Sequence, residues 1–228
     1  MTVANPEDDS PITDGSELDA PPPSVRLIGR AINFSITRAP WLWPLLRRRT
    51  ESYFDGRAAG WDERTGAPGP AHLAPLAVAV TKIDRRPERA LDLGTGTGVA
   101  ALFLAREFPH ATIRGADISE EMIRQARAKV GLDPSGRVAF RVADAGDLPW
   151  PEEHFDLVTT INMPPFFAET ARMLRHNGHV IVTTSMGSRI PFFTPDHVLE
   201  RGFHRHGFVK VTSGEIGAGT YFVARKGE

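Results

Sequence analysis

Between Arg89 and Thr184 short apolar runs alternate with longer stretches of helical spacing, and this alternation limits the fold more than any other feature. Strands are expected at Arg89–Leu93, Thr112–Ala116, Arg137–Val142, Phe155–Thr160 and His179–Thr184. Helices are expected at Gly98–Glu107, Ser119–Val130 and Pro164–His176. Strands joined by helical crossovers run parallel, and such a sheet has to be covered on both faces. The pattern therefore predicts an α/β, doubly wound sheet. Ser119 before Glu120 and Glu121 makes an N-cap with acids in the first turn. Asn177-Gly178 reads as the stop of the Pro164–His176 helix. Beyond a helix at Pro195–Arg205, two further strands are expected at Phe208–Thr212 and Thr220–Arg225. The "SGEIGAG" between them is too short for a helical crossover, so these two should be antiparallel. The expectation is seven strands, mostly parallel, with an antiparallel C-terminal strand.

The first expected strand runs into "ALDLGTGTGVAALFLAREF" (Ala90–Phe108), a strand, a glycine turn and a helix. Three ligands use such a start. A nucleoside triphosphate loop requires Gly-x-x-x-x-Gly-Lys-Ser/Thr, and no lysine follows these glycines. A dinucleotide turn requires Gly-x-Gly-x-x-Gly/Ala around a pyrophosphate. Counted from Gly94 the last position is Val99, which is too bulky. Counted from Gly96 it is Ala101, which fits but leaves Gly94 without a role. The full spacing is Asp-x-Gly-x-Gly-x-Gly, from Asp92 to Gly98. It sets a carboxylate at the strand end, suited to an ammonium, beside exposed backbone on which a compact zwitterion can lie.

Two more acids follow. Asp117 in "IRGADIS" stands 19 positions past Gly98, at the end of the second strand, where a carboxylate accepts from ribose hydroxyls. Asp144 in "FRVADAGDLPW" stands just past the third. Taken with "FDLVTTINMPPF" and "ARMLRHNGHVIV", this set resembles the class I S-adenosylmethionine-dependent methyltransferases of the small-molecule type, from about Tyr53 to the C-terminus. The resemblance implies a Rossmann-like methyltransferase fold with S-adenosylmethionine as cofactor. It implies that Asp92, Gly94, Thr95, Gly96 and Gly98 hold the methionine part and that Asp117 binds the ribose. Ile118 and Met122 would flank the adenine, Asp144 with the Ala145 backbone would meet its edge, and Asn162 would also bind the cofactor. The family's Pro-Gly-Gly turn before the fifth strand is His176-Asn177-Gly178 here. Asn162-Met163-Pro164-Pro165-Phe166 resembles the Asn-Pro-Pro-Tyr/Phe signature of enzymes that methylate amino nitrogens. Met163, however, separates the two carbonyl acceptors that the signature needs side by side.

Methyl transfer from a sulfonium requires alignment in a dry site, and a base only where the acceptor carries a proton. No catalytic base is assignable from the sequence. The acceptor-facing candidates are Tyr53, Trp61, Met163, Phe166, Phe167, Phe192 and Phe193, a mostly apolar and aromatic set. They favour a small lipophilic or aromatic acceptor over nucleic acid, which would require basic patches. Two other functions remain open: a non-catalytic S-adenosylmethionine-binding partner subunit and an NAD-dependent oxidoreductase.

Composition divides the rest. Residues 1–24 hold six acids, five prolines and no base, too little apolar surface to offset ordering, so a disordered tail is expected. The next unit, 25–66, is a helical arm and connector ahead of a cofactor-binding domain at 67–228. From Arg26 to Arg49 the arm has six arginines and no acid, with apolar residues at helical spacing and Trp41 and Trp43 beside prolines. Either it packs on the domain with its arginines solvated, or it forms a lid that makes peripheral membrane contact. "YFDGRAAGWDERTG" (Tyr53–Gly66) is a polar connector, and Pro70–Ile83 a helix with proline in its first turn. The chain has no cysteine, which excludes thiolate chemistry and disulfides. Its eight histidines show no metal spacing, so no metal is expected. A net charge of −1 gives no reason to expect a polyanionic partner. The longest apolar stretches, Leu73–Val80 and Val99–Ala105, are too short to span a bilayer. Without a secretion signal, the cytoplasm is the expected location.

Overall fold

The structure, a computed structural model, describes residues 23–228 apart from 68 and 132–135. The expected acidic tail thus lies outside the described residues except for its last two positions, which begin a helix. Seven strands form one sheet: β1 (Arg89–Leu93), β2 (Thr112–Asp117), β3 (Val138–Val142), β4 (Phe155–Ile161), β5 (Leu174–Thr184), β6 (Phe208–Ile216) and β7 (Gly219–Lys226). Their order is β3-β2-β1-β4-β5-β7-β6. All pairings among β1 to β5 are parallel, and β7 runs antiparallel to both of its neighbours. This is the expected Rossmann-like methyltransferase fold.

Eight helices are described: α1 (Pro23–Arg38), α2 (Trp43–Asp55), α3 (Trp61–Thr65), α4 (Pro70–Val80), α5 (Val99–Glu107), α6 (Glu120–Val130), α7 (Phe167–Met173) and α8 (Asp196–His204). The period-two alternation of the strands sorts their side chains into two cores. Ala90, Leu157, Ile181 and Val223 pack with Leu76 of α4, Leu104 of α5 and Ile123 of α6. Leu91, Val158, Val180 and Phe222 face the other way, onto Met173 of α7, Phe203 of α8 and Trp43 of α2. Successive residues of the buried strands are thus apolar on both faces, as a doubly covered sheet requires.

The α7 region departs from expectation. The helix begins at Phe167, after both prolines, and ends at Met173; Leu174 already pairs with Phe155 as β5 begins. Asn177 does adopt the left-handed conformation, with φ 62°, but as an irregularity inside a strand rather than a helix stop. Ion pairing of Arg175 with Asp156 and an Arg225 bond to Asn177 hold this stretch against its neighbours. The C-terminal strands are longer than expected, because most of "SGEIGAG" is strand and Gly217, at φ 57°, makes a tight turn. The polar connector is also more ordered than its composition suggested, with α2 extending to Asp55 and α3 following.

Candidate active site

The strand order reverses between β1 and β4, and a crevice opens there beyond the carboxyl ends of the strands. The glycine turn forms its floor. Gly94, Gly96 and Gly98 have φ of 70°, 52° and 85°, a region that penalises a Cβ. Gly94 and Thr95 donate their N–H groups to the Ala116 carbonyl, so the turn is fastened to the end of β2. A Cβ at Gly94 would meet the Met163 sulfur and one at Gly98 would meet Phe140, whereas the space above Gly96 is open. The turn therefore offers an unobstructed bed at Gly96.

Two carboxylates flank it. Asp92 is buried; its oxygens accept from the hydroxyls of Thr95 (2.6 Å) and Thr159 (3.1 Å). Burial pushes its pKa up to about 6 despite those bonds. Asp117 accepts from the N–H groups of Gly96 and Ser119, each at 2.9 Å, one on each oxygen. Burial raises its pKa as well, and each oxygen keeps acceptor capacity toward the cavity.

The arm closes the other side. Ile32 and Ile36 of α1 and Trp43, Thr50 and Phe54 of α2 line the same cavity as the glycine turn. Their placement has identifiable anchors. Asn33 donates to the Phe193 carbonyl and accepts from Thr194, and Gly29 lies directly against Pro191. At the far end of α2, Asp55 accepts from Ser119 Oγ (2.5 Å) and Glu121 N (3.3 Å), placing a negative charge at the N-terminus of α6. In α3, Asp62 accepts from Thr97 of the glycine turn (2.5 Å) and pairs with Lys129.

These residues and their order have counterparts in known proteins. Residues 90–178 match the family described as "Methyltransferase domain". Over that stretch the chain is similar in sequence to S-adenosylmethionine-dependent methyltransferases. It is 32% identical over 143 residues to a ubiquinone/menaquinone biosynthesis C-methyltransferase of Geotalea daltonii, covering 58% of each chain. It is 33% identical over 107 residues to a fatty-acid O-methyltransferase of Mycolicibacterium smegmatis, covering 44% of this chain and 38% of that one. The chain thus spans little more than half of the first relative's length and less of the second's. A methyltransferase from Aquifex aeolicus shares the fold at a TM-score of 0.61 and 17% identity, over 75% of this chain and 97% of its own.

Within this cavity the structure brings together Asp92, Gly94, Thr95, Gly96, Asp117, Ile118, Met122, Ala145 and Asn162. Gly98 lies just behind, as the N-cap of α5. Asp144, expected to meet an adenine edge, does not line this cavity. Its carboxylate accepts from the Trp43 indole (2.7 Å), the Arg47 guanidinium (3.3 Å) and its own turn at Gly146, and lines the adjoining cavity instead. Asn162, at φ 54°, is locked to Ser185 through both ends of its amide. That clip leaves neither end aimed as the amino-nitrogen signature requires.

Of the acceptor-facing candidates, Trp61, Met163, Phe166 and Phe192 line the cavity. Phe167 packs on Phe203 and borders the adjoining cavity, Tyr53 lies beneath Arg57, and Phe193 is bound through its backbone to Asn33; none of the three lines the cavity. The sequence reading missed the arm residues Ile32, Ile36, Trp43, Thr50 and Phe54. Their helical spacing was visible, but nothing in it said which surface they cover. It also missed His72 of α4, whose buried Nδ1 has no hydrogen-bond partner among the described residues and which lines the cavity. Burial lowers its pKa, so the ring is neutral at pH 7.

Proposed function

We propose that this chain transfers the methyl group of S-adenosylmethionine to a small lipophilic or aromatic acceptor. The carrying observation is a single cavity in which the open backbone at Gly96 stands between two inward carboxylates, while most other walls are apolar. Asp92 suits the ammonium of the methionine part, and Asp117 has the free acceptor capacity for two ribose hydroxyls. Ile118 and Met122 provide flat apolar walls for the adenine. No pyrophosphate is needed to explain any of these groups, which counts against a dinucleotide.

The cofactor supplies a methyl group already activated by the sulfonium charge. The protein's part is to hold the acceptor in line and keep water out. Trp43, Phe54, Trp61, Met163, Phe166 and Phe192 supply that dry wall. They also favour an acceptor that gains by leaving water, consistent with the quinone biosynthesis and the fatty acid in the two relatives' names. His72 is a neutral imidazole in the same wall, able to take a proton where an acceptor hydroxyl loses one.

Calorimetry with S-adenosylhomocysteine and with NADH tests the cofactor. The first should bind and the second should not, and tighter binding of NADH would overturn the reading. Radiolabelled methyl donor incubated with lipid and aqueous metabolite fractions tests the acceptor, with label expected in the lipid or aromatic fraction. Label in neither fraction, despite firm binding of S-adenosylhomocysteine, would favour the non-catalytic partner subunit instead.

A further inference from the structure

Among the described residues eight large apolar side chains are exposed, and five of them belong to the arm: Leu27, Ile28, Phe34, Trp41 and Leu45. Phe34 is 63% exposed, Trp41 74% and Leu45 73%. Leu27 and Phe34 are seven residues apart, two turns of α1, and Arg30 and Arg38 stand four residues to either side of Phe34. At that spacing they share one face of the helix. The opposite face is already engaged, through Gly29 on Pro191, Asn33 on the 193–194 backbone and Ile36 in the core. The outer face is therefore surplus to holding the arm on the domain.

Its charge identifies what would cover it. The arm has no acid between Arg26 and Arg49, in a chain whose net charge is −1. Arg30, Arg38, Arg48 and Arg49 make no ion pair among the described residues. We propose that the outer face of this arm docks on an anionic lipid surface. Phe34, Trp41 and Leu45 enter the boundary between headgroups and acyl chains, and the arginines lie among the phosphates. An aromatic and aliphatic face rimmed by arginine matches that layered surface, apolar within and negative without. A nucleic acid would pair with the charges and leave the apolar side chains wet. A second copy meeting this face about a two-fold axis would set one arginine-rich arm against another. The docking does not depend on the proposed reaction. On that reading it has one further consequence: the inner face of the same arm lines the cavity, so a lipophilic acceptor is received from the surface on which the protein rests.

Co-sedimentation of the full chain with vesicles tests the proposal. An equal mixture of phosphatidylcholine and phosphatidylglycerol should bind on the order of tenfold more tightly than phosphatidylcholine alone, and raised salt should narrow the gap. The double variant Phe34→Ser/Trp41→Ser should lose on the order of tenfold on the anionic vesicles. Arg48→Gln/Arg49→Gln should bring anionic binding down toward the neutral level. Melting temperature and S-adenosylhomocysteine affinity, measured on the same variants, should match the parent, which separates lost docking from a lost fold or a failed cofactor assignment. In the parent, anionic vesicles should slow amide exchange in α1. Equal binding to both vesicle types, no binding to either, or a dimer that Phe34→Ser/Trp41→Ser converts to monomer would overturn the proposal.

Discussion

Asp92 ties two pH profiles of opposite slope to one carboxyl. Its pKa is pushed up from 3.8 to about 6 by burial. In the unliganded protein the proton is stabilising: that contribution is complete below the unfolded value and is lost as pH rises through about 6. An ammonium ligand favours the charged form, so binding expels the proton. Affinity for S-adenosylhomocysteine should therefore fall as pH drops below about 6, approaching one decade per pH unit. Calorimetry from pH 5 to 7 checks this, and Asp92→Asn should flatten the profile. Asp117 presents a different balance, because it already serves two backbone donors. Asp117→Ala removes two charge-assisted acceptor sites of about 1.5–3 kcal/mol each, which is about a hundredfold or more in affinity. It also leaves the Gly96 and Ser119 N–H groups without a partner, so the melting temperature should fall too. Asp117→Asn keeps one acceptor and should lose less of both. Titration and melting of the pair separate the ligand role from the turn-holding role. The positions of these two acids were legible in the sequence from strand ends and spacing. Asp144 was not, since its partners Trp43 and Arg47 lie about a hundred residues away and no local signal announces them.

At the scale of elements, β1 to β4 and α5, α6 and α8 follow the apolar periodicity closely, because each buries its pattern against its neighbours. Helix α7 shows where periodicity misleads. Ala171, Met173 and Leu174 fit a helical stripe, yet Leu174 gains more by joining the sheet beside Phe155. Apolar residues at the end of a short helix carry no mark of where helix gives way to strand. For the arm the sequence indicated helix but not attachment, and Gly29 supplies a test of the attachment. Glycine within a helix costs about 1 kcal/mol relative to alanine, so propensity alone predicts that Gly29→Ala stabilises α1. A Cβ there would stand 2.2 Å from the Pro191 Cβ, and forcing such contacts apart costs about 1–3 kcal/mol. The steric term should prevail. Hydrogen exchange should show α1 opening more readily in Gly29→Ala, with β1 to β5 unchanged, and S-adenosylhomocysteine affinity should drop as Ile32 and Ile36 move from the cavity wall.

Across the whole molecule, one side of the cavity is built from the sheet and the opposite side from a segment that precedes the first strand in the chain. The sheet half was foreseeable, because alternating strands and helices leave few ways to wind. The arm half depends on contacts between residues more than a hundred positions apart, such as Asn33 with Thr194, which composition does not encode.

The order of the sheet also has a consequence in time. Strand β7 is translated after β6 yet lies inside it, between β5 and β6. While a ribosome has delivered everything up to β6, the edge of β5 stands bare, with the buried residues Val180, Ile181 and Val182 along it. An unpaired apolar edge is a template for other chains. Nascent chains that end before Gly219 and are followed by a linker spanning the exit tunnel should therefore collect in the aggregate fraction, while chains that carry β7 ahead of the same linker stay dispersed, and centrifugation after release would show it. Because the strand that covers this edge is translated after its outer neighbour, the β5 edge is most vulnerable in the interval before β7 emerges.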